Sequence, residues 1–175
     1  MSKPFHLRSD EPSRSRLALN DLIIQVFRLN GDLIAAGDVL VGDLGLTSAR
    51  WQVLGAIALS PVPLPVAHVA RNMGLTRQAV QRVADDMRTE GLVRYEPNPH
   101  HRRAMLVVMT ERGEDAYRRA SERQERWADG LVSGLSPDAI EAAGTLLRTL
   151  QTRLAEAETG APAEPILGVW SRNEV

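Results

Sequence analysis

The sequence predicts a mainly α-helical protein with one small β-hairpin, which is an α+β fold. Apolar side chains recur at the spacing of an α-helix over most of the chain. Two short apolar runs, residues 92–96 and 104–109, flank a turn that contains Asn98-Pro99, as the strands of a hairpin do. The 175 residues are 43% hydrophobic, so the chain can bury the core of one domain.

Residues 14–41 are predicted to form one long helix. Its apolar stripe consists of Leu19, Leu22, Ile23, Val26, Phe27, Leu33 and Ile34. Asn30-Gly31 is a turn signal inside this segment, but the stripe continues in phase across it. We therefore expect one helix bent at Gly31 that ends at residues 42–46, with two shorter helices as the alternative.

A second helix is predicted from its N-cap, Thr47, to residue 59. Its inward side chains are expected to be Trp51, Leu54, Ile57 and Ala58. Residues 60–65 contain three prolines and form a connection that can hold one very short strand. A short helix follows at residues 66–73, with Pro65 in its first turn. Its apolar face consists of Val66, Val69, Ala70 and Met73.

Gly74 is expected to make a tight turn into a further helix, which completes a helix-turn-helix. Thr76 is its predicted N-cap and a candidate phosphate ligand, and Gly91 is its predicted end. The apolar stripe of this helix consists of Val80, Val83 and Met87. The polar side chains off the stripe should face outward, and they are Arg77, Gln78, Gln81 and Arg82. In the major groove arginine can pair with guanine O6/N7 and glutamine with adenine N6/N7.

The turn of the hairpin, residues 97–103, ends in His-His-Arg-Arg. Arg102 and Arg103 at its tip can reach phosphates or a narrow minor groove. A solvated helix face and an ordinary hairpin are the alternative, since every surface helix has a polar side. Helix, hairpin and basic tip together favour DNA binding. Residues 66–110 also hold seven arginines against four acids, a net +3, in a chain whose net charge is −1.

The C-terminal part is predicted to form two more helices. Thr110 caps the first, which extends to residue 134 along a heptad-like seam of Gly113, Tyr117, Ala120, Gln124, Trp127 and Leu131. Ser136-Pro137-Asp138 starts the second, which extends to residue 157. Its stripe consists of Ile140, Ala143, Leu147, Leu150 and Leu154. Long apolar stripes at both ends of the chain predict a two-fold helical dimer, with a monomeric bundle as the alternative.

Motifs of enzymes and of metal sites are missing from the sequence. There is no cysteine, and G-x-S-x-G, H-E-x-x-H, GxGxxG and P-loop patterns are absent. His100-His101 is the one histidine pair, and adjacent hairpin positions seldom both bind one metal. Asp85-Asp86 is interpreted as a solvated helix face. We therefore expect no catalytic residue, no metal and no cofactor.

The location of the protein follows from what the sequence lacks. No apolar run is long enough to span a membrane, and the first residues have no signal-peptide core. We expect a cytoplasmic protein.

Three residues are candidates for binding a small effector. Trp51 and Trp127 could stack on an aromatic ligand, although core packing is the commoner role of an aromatic side chain on a helical stripe. His68 could line an effector pocket or contact a phosphate, and a partly exposed structural histidine is the alternative.

Three segments carry a resemblance to a known family. In order, LTSARWQVL, PLPVAHVARNMGLTRQAVQRVADDMRTEGLV and NPHHRRAMLVVMTERG resemble the multiple-antibiotic-resistance regulator (MarR) family of winged-helix repressors, over residues 15–154. The resemblance implies a homodimer that binds a pseudo-palindromic operator and releases DNA on binding a small, often aromatic, acid. Asn98 and His101 stand at two positions that are Asp in the family's wing, the hairpin. The second of these Asp residues orients the wing arginine that matches Arg103.

These patterns together predict a winged helix-turn-helix domain with long flanking helices that form a dimerisation region. The predicted parts are a flexible arm (1–13), a dimerisation helix (14–46), the DNA-binding region (47–110), two dimerisation helices (111–158) and a tail (159–175). The contacts to double-stranded DNA are assigned to Thr76, Arg77, Gln78, Gln81, Arg82, Arg102 and Arg103. The predicted function is sequence-specific regulation of transcription, as a repressor released by a small ligand. The alternative is a helical dimer that binds a small molecule or a protein without reading DNA.

Overall fold

The computed structural model describes residues 13–101 and 103–159. Within them the elements are α1 (Arg14–Val41), α2 (Ser48–Ala58), β1 (Leu64–Pro65), α3 (Val66–Asn72), α4 (Arg77–Thr89), β2 (Val93–Glu96), β3 (Leu106–Met109), α5 (Glu111–Val132) and α6 (Pro137–Thr159). A 3-10 turn, Gly42–Leu44, follows α1. The predicted α+β class is confirmed. The sequence-based predictions for residues 1–12, Arg102 and residues 160–175 concern positions outside the described residues.

The first helix is continuous through Asn30 and Gly31, which confirms one helix over the alternative of two. Ser13, predicted to belong to the flexible arm, caps α1, since its side chain accepts a hydrogen bond from the backbone N–H of Arg16 at 3.3 Å. Only the C-terminal end of α1 contributes buried residues, Gly37 and Val41. Most of the predicted apolar stripe of α1 is therefore exposed in the single chain.

The three strands form one antiparallel sheet in the order β1-β3-β2. Val93 pairs with Met109 and Glu96 pairs with Leu106, so β2 and β3 form the predicted hairpin. The very short β1 lies in the proline-rich connection, where one short strand was expected, and Leu64 pairs with Val107. The connection from β2 to β3 is the tip of this hairpin, which we call the wing, and its described residues are 97–101 and 103–105.

The core lies between the helix-turn-helix, α2, the sheet and the first half of α5. The side chains buried to below 2% exposure and largest in volume are Leu54, Met87, Leu92, Val41, Val53, Val69, Val80, Val93 and Val107. α5 approaches the sheet closely at Gly113, where an added Cβ would lie 2.0 Å from the carbonyl oxygen of Leu92. This core fixes the position of α4 relative to the wing.

Caps that were predicted from the sequence are present at three helices. The side chains of Thr47, Thr76 and Thr110 accept hydrogen bonds from the backbone N–H groups three residues further along. Two local predictions are wrong. Pro65 was predicted to lie in the first turn of α3, but its ψ of 153° is extended and not helical. It is therefore the N-cap, the residue before the first turn. Ala58, predicted to face inward, is exposed at the end of α2.

The outer helices leave much apolar surface uncovered. The large exposed side chains of α1 and α6 include Leu17, Ile23, Ile24, Phe27, Leu29, Leu33, Ile140, Leu146, Leu147 and Leu154. A groove of about 510 Å³ runs between the two helices and is lined mainly by apolar side chains. Within the part of the chain that the structure describes, no helix combines the length and apolar character needed to cross a membrane.

Candidate nucleic-acid interface

The position of α4 is fixed at both ends and along its buried face. Oγ1 of Thr76 accepts a hydrogen bond from the backbone N–H of Ala79 at 3.2 Å. Gly91 has a φ of +72°, the left-handed conformation that glycine adopts at low cost after a helix. The backbone N–H of Leu92 bonds to the carbonyl of Met87 at 2.9 Å and closes this turn. The opposite face of α4 is therefore held away from the core at a defined angle.

Three of the predicted contact residues lie on that outer face. Arg77, Gln78 and Arg82 are exposed, as expected. Among the residues that the structure describes, none of these three side chains forms a hydrogen bond or an ion pair. Their donors are therefore available to a ligand that approaches α4 from outside.

Gln81 departs from the prediction that it faces outward. It is half-buried, and its Nε2 donates to the hydroxyl of Tyr95 at 2.9 Å. The same nitrogen lies 3.2 and 3.1 Å from the two carboxylate oxygens of Asp85. The Tyr95 hydroxyl in turn donates to Oδ1 of Asp85 at 2.9 Å. These three side chains, which we call the Gln81 network, connect α4 to β2.

The interpretation of Asp85-Asp86 as a solvated face is correct only for Asp86. Asp85 is half-buried because the strand β2 places Tyr95 over it. The sequence held one signal of this, since Gln81 and Asp85 are four residues apart on a helix and so lie side by side. Nothing in the sequence of α4 indicates the third member, which comes from the next element.

Tyr95 is an unusual phenol in this surrounding. Burial disfavours its charged form, and the hydrogen bond to the Asp85 carboxylate and that group's negative charge act in the same direction, so its pKa rises to about 12. The guanidinium of Arg88 lies 5.8 Å from the centre of its ring. The hydroxyl therefore remains a hydrogen-bond donor over the whole physiological pH range.

The wing is ordered by its own backbone and by Asn98. Oδ1 of Asn98 accepts a hydrogen bond from the backbone N–H of His100 at 2.9 Å, which stabilises the turn. Arg103 is exposed, and among the described residues its side chain has neither a hydrogen bond nor an ion pair. His101 therefore does not orient Arg103 in this structure.

A cleft of about 870 Å³ separates α4 from the wing. Its polar lining residues are His68, Arg77, Gln81, Tyr95, Asn98, His100, His101 and Arg103. Arg77 lies on the α4 wall and Arg103 on the wing wall, and no acid is among the described lining residues. Gln78 and Arg82 are exposed on α4 but do not line the cleft.

The candidate effector residues lie in different places. His68 is exposed and lines the cleft. Trp51 is half-buried and lines a separate cavity of about 240 Å³ between α1, α2 and α5, together with Trp127. That cavity also contains Asn30, Gln52 and Gln124, none of which was assigned to a ligand from the sequence. The structure thus does not bring Trp51 and His68 together in one pocket.

Metal binding was not expected from the sequence. Within residues 13–101 and 103–159 no group of three or more His, Cys, Asp or Glu side chains could hold a metal ion.

Comparison of the sequence with known proteins gives one family. A family model described as the MarR family matches residues 44–104. The uncharacterized protein Rv2011c of Mycobacterium tuberculosis is 37% identical over 129 residues, which are 74% of this chain and 89% of that protein. The transcriptional activatory protein BadR of Rhodopseudomonas palustris is 28% identical over 129 residues, which are 72% of this chain and 74% of BadR.

Solved structures of similar fold include two of CouR. CouR from Rhodococcus jostii RHA1 bound to p-coumaroyl-CoA has a TM-score of 0.64 and 19% identity, and the match covers 74% of this chain and 90% of CouR. The transcriptional repressor CouR bound to a 23-mer DNA duplex has a TM-score of 0.64 and 23% identity, with 73% of this chain and 89% of CouR covered. At this level of identity the likeness concerns the fold.

Proposed function

The chain belongs to the MarR family of transcription regulators, whose DNA-binding unit is a winged helix, and we propose that it is a homodimeric, sequence-specific repressor. Its α4 enters the major groove, where Arg77, Gln78 and Arg82 meet base edges. Arg103, with Arg102, binds the backbone or the adjacent minor groove. The duplex bound to CouR supports the same use of this fold.

One observation supports this function most strongly. Each wall of the cleft carries an arginine, Arg77 or Arg103, that is unpaired among the described residues, and no acid is among the described lining residues. Unpaired guanidinium groups on a surface attract phosphate and release counterions when they bind it. A protein whose net charge is −1 concentrates its positive charge where the fold presents a helix and a wing together.

The proposal of a homodimer is supported by the outer helices. The apolar groove between α1 and α6 and the exposed apolar side chains around it would be covered by the same surface of a second copy. Such a two-fold dimer places two copies of α4 about 10 bp apart on one face of the duplex, so the operator should be an inverted repeat.

Release by a small ligand is the last part of the proposal. The cavity that contains Trp51 lies where α1 and α5 meet α2, so a ligand there touches two helices of the dimerisation region and one helix of the DNA-binding unit. Trp51 and Trp127 suit an aromatic ring, and the amides of Asn30, Gln52 and Gln124 can hold polar groups of the ligand. The p-coumaroyl-CoA bound to CouR supports an aromatic ligand.

The DNA contacts are tested by arginine substitutions in a salt series. Arg77→Ala and Arg103→Ala should each weaken binding to duplex DNA, and Arg103→Ala should lower the slope of log affinity against log salt by about 1 per protomer. The control is Arg153→Ala, which removes another exposed arginine, from α6. An Arg103→Ala protein with unchanged affinity at every salt concentration would contradict the assignment of Arg103 as a DNA contact.

A further inference from the structure

The amide of Gln81 has a defined orientation because of its neighbours. An ionised carboxylate can only accept hydrogen bonds, so the amide must turn its NH₂ group toward Asp85. The Tyr95 hydroxyl gives its one proton to Asp85 and accepts from the same NH₂ group. Both donors of Gln81 are therefore used within the protein. Oε1 remains, and it has no hydrogen bond to any described residue.

This orientation changes what Gln81 can recognise. A glutamine that reads adenine in the major groove accepts from N6–H and donates to N7, which requires both ends of the amide. Gln81 can supply only the acceptor. In the major groove the base-edge donors are the exocyclic amines, N6 of adenine and N4 of cytosine.

We propose that Asp85 and Tyr95 are positioning residues that make Gln81 an acceptor for an exocyclic amino group in the major groove. The inference rests on the proposed function, since it concerns the base that α4 reads. Gln81 and Tyr95 both line the cleft, whereas Asp85 does not, so the network supports a side chain at the DNA surface from behind.

The charges around the network support this arrangement. An uncompensated carboxylate close to DNA would be repelled by the phosphates, but Asp85 accepts hydrogen bonds from two side chains that lie between it and the cleft. Arg88 lies against the ring of Tyr95 at 5.8 Å and holds it over α4. Tyr95 on β2 therefore sets the orientation of Gln81 on α4.

The experiment begins with the wild-type protein and its selected operator carrying single base analogues. At the base pair whose preference is lost in Gln81→Ala, removal of the exocyclic amine, as purine for adenine or pyrimidin-2-one for cytosine, should weaken binding about fivefold or more. If the base is adenine, 7-deazaadenine, which lacks N7 but keeps the amine, should bind as well as adenine. Equal losses from the two adenine analogues would overturn the proposal.

Two conservative variants then test the positioning role. Asp85→Asn should relax the preference at the same base pair as Gln81→Ala, because an amide at position 85 no longer forces Gln81 to present Oε1. Tyr95→Phe should relax it less, because the Asp85 carboxylate still accepts from the NH₂ group and only the bond to the Tyr95 hydroxyl is lost. Preferences at other positions and the salt dependence of binding should stay as in the wild type. A uniform loss of affinity over all sequences would indicate a purely structural role and would overturn the proposal, as would unchanged preferences in both variants.

The result also separates this inference from the proposed function. A wild-type protein that retains no duplex DNA overturns both. A wild-type protein that selects an operator, with a base preference independent of Gln81, overturns only the positioning role. The base-analogue affinities are measured on the wild-type protein, and Gln81→Ala serves only to identify the base pair.

Discussion

At Gly113 the backbone of α5 passes so close to β2 that a side chain has no room. A Cβ there would lie 2.0 Å from the carbonyl oxygen of Leu92, a backbone atom that cannot move without shifting the sheet. Gly113→Ala should therefore lower the free energy of unfolding, measured by urea denaturation, by about 1–3 kcal/mol. The control is Gly130→Ala in the same helix, where nothing lies within 4 Å of the new Cβ. We expect that change to be neutral or stabilising by up to about 1 kcal/mol, because alanine favours helices.

The hydroxyl of Tyr95 should lose its proton at a higher pH than an ordinary tyrosine does. Its pKa is raised from 10.0 to about 12, so the folded protein holds this proton more tightly than the unfolded chain does. The stabilisation is present below pH 10 and is lost as the pH rises toward 12. Ultraviolet absorbance of tyrosinate should show a transition near pH 12 that is missing in Tyr95→Phe. A single transition near pH 10 in protein that remains folded by circular dichroism would contradict the network.

At the scale of residues, the sequence predicts what depends on near neighbours. The caps Thr47, Thr76 and Thr110 act on backbone groups three residues away, so their role could be predicted from the local pattern. Gln81 could not be placed correctly, because its partner Tyr95 is fourteen residues further on and is brought near by the register of the sheet. The same holds for Trp51, whose cavity is completed by α1 and α5.

At the scale of elements, an ion pair connects α2 to the C-terminal end of α4. Arg50 binds both carboxylate oxygens of Glu90, at 2.8 and 2.6 Å. A double-mutant cycle with Arg50→Gln and Glu90→Gln should give a coupling of about 0.5–1 kcal/mol, at the upper end for a partly exposed pair. The control cycle uses the more exposed pair of Arg118 and Glu122 within α5, where about 0.3–0.5 kcal/mol is expected. Equal coupling energies in the two cycles would contradict a stronger interaction between Arg50 and Glu90 than between the more exposed pair.

The elements themselves follow largely from the apolar pattern of the sequence. The turn signal at Asn30-Gly31 yields to the long stripe of α1, which continues through it. The strands are shorter than predicted, since β2 and β3 pair over four residues each. Apolar residues next to a strand, such as Leu92, are buried in the core without joining the hydrogen bonds between strands. The apolar pattern of the sequence does not distinguish such residues from the strand itself.

At the scale of the whole molecule, the proposed homodimer accounts for the exposed apolar faces of α1 and α6. Leu147 lines the groove between these helices and is 40% exposed in the single chain. Leu147→Glu should place a charge in the dimer interface and yield a folded monomer in sedimentation equilibrium. The control is Thr149→Glu, which adds the same charge at an exposed position outside the groove. A Leu147→Glu protein that remains dimeric would move the interface elsewhere.

The sequence could predict these apolar faces but not the surface that packs against them. Stripes on α1 and α6 were visible as periodic patterns, and the structure of one chain leaves them largely exposed. Two such stripes can pack against each other or against a second copy of the chain. Which of these occurs depends on packing over the full length of both helices, and the periodic pattern of the sequence carries no information about that packing. The family supplies the expectation of a homodimer.

Selection from random duplexes tests the central claim most directly. The protein is mixed with a pool of random duplex DNA over a series of salt concentrations, and the retained DNA is sequenced. We predict an enriched inverted repeat with half-sites about 10 bp apart, and log affinity that falls steeply with log salt. Salt-sensitive retention without an enriched sequence would show a basic surface that does not read bases. No retention near physiological salt, by folded and ligand-free protein, would contradict the account of a DNA-binding regulator.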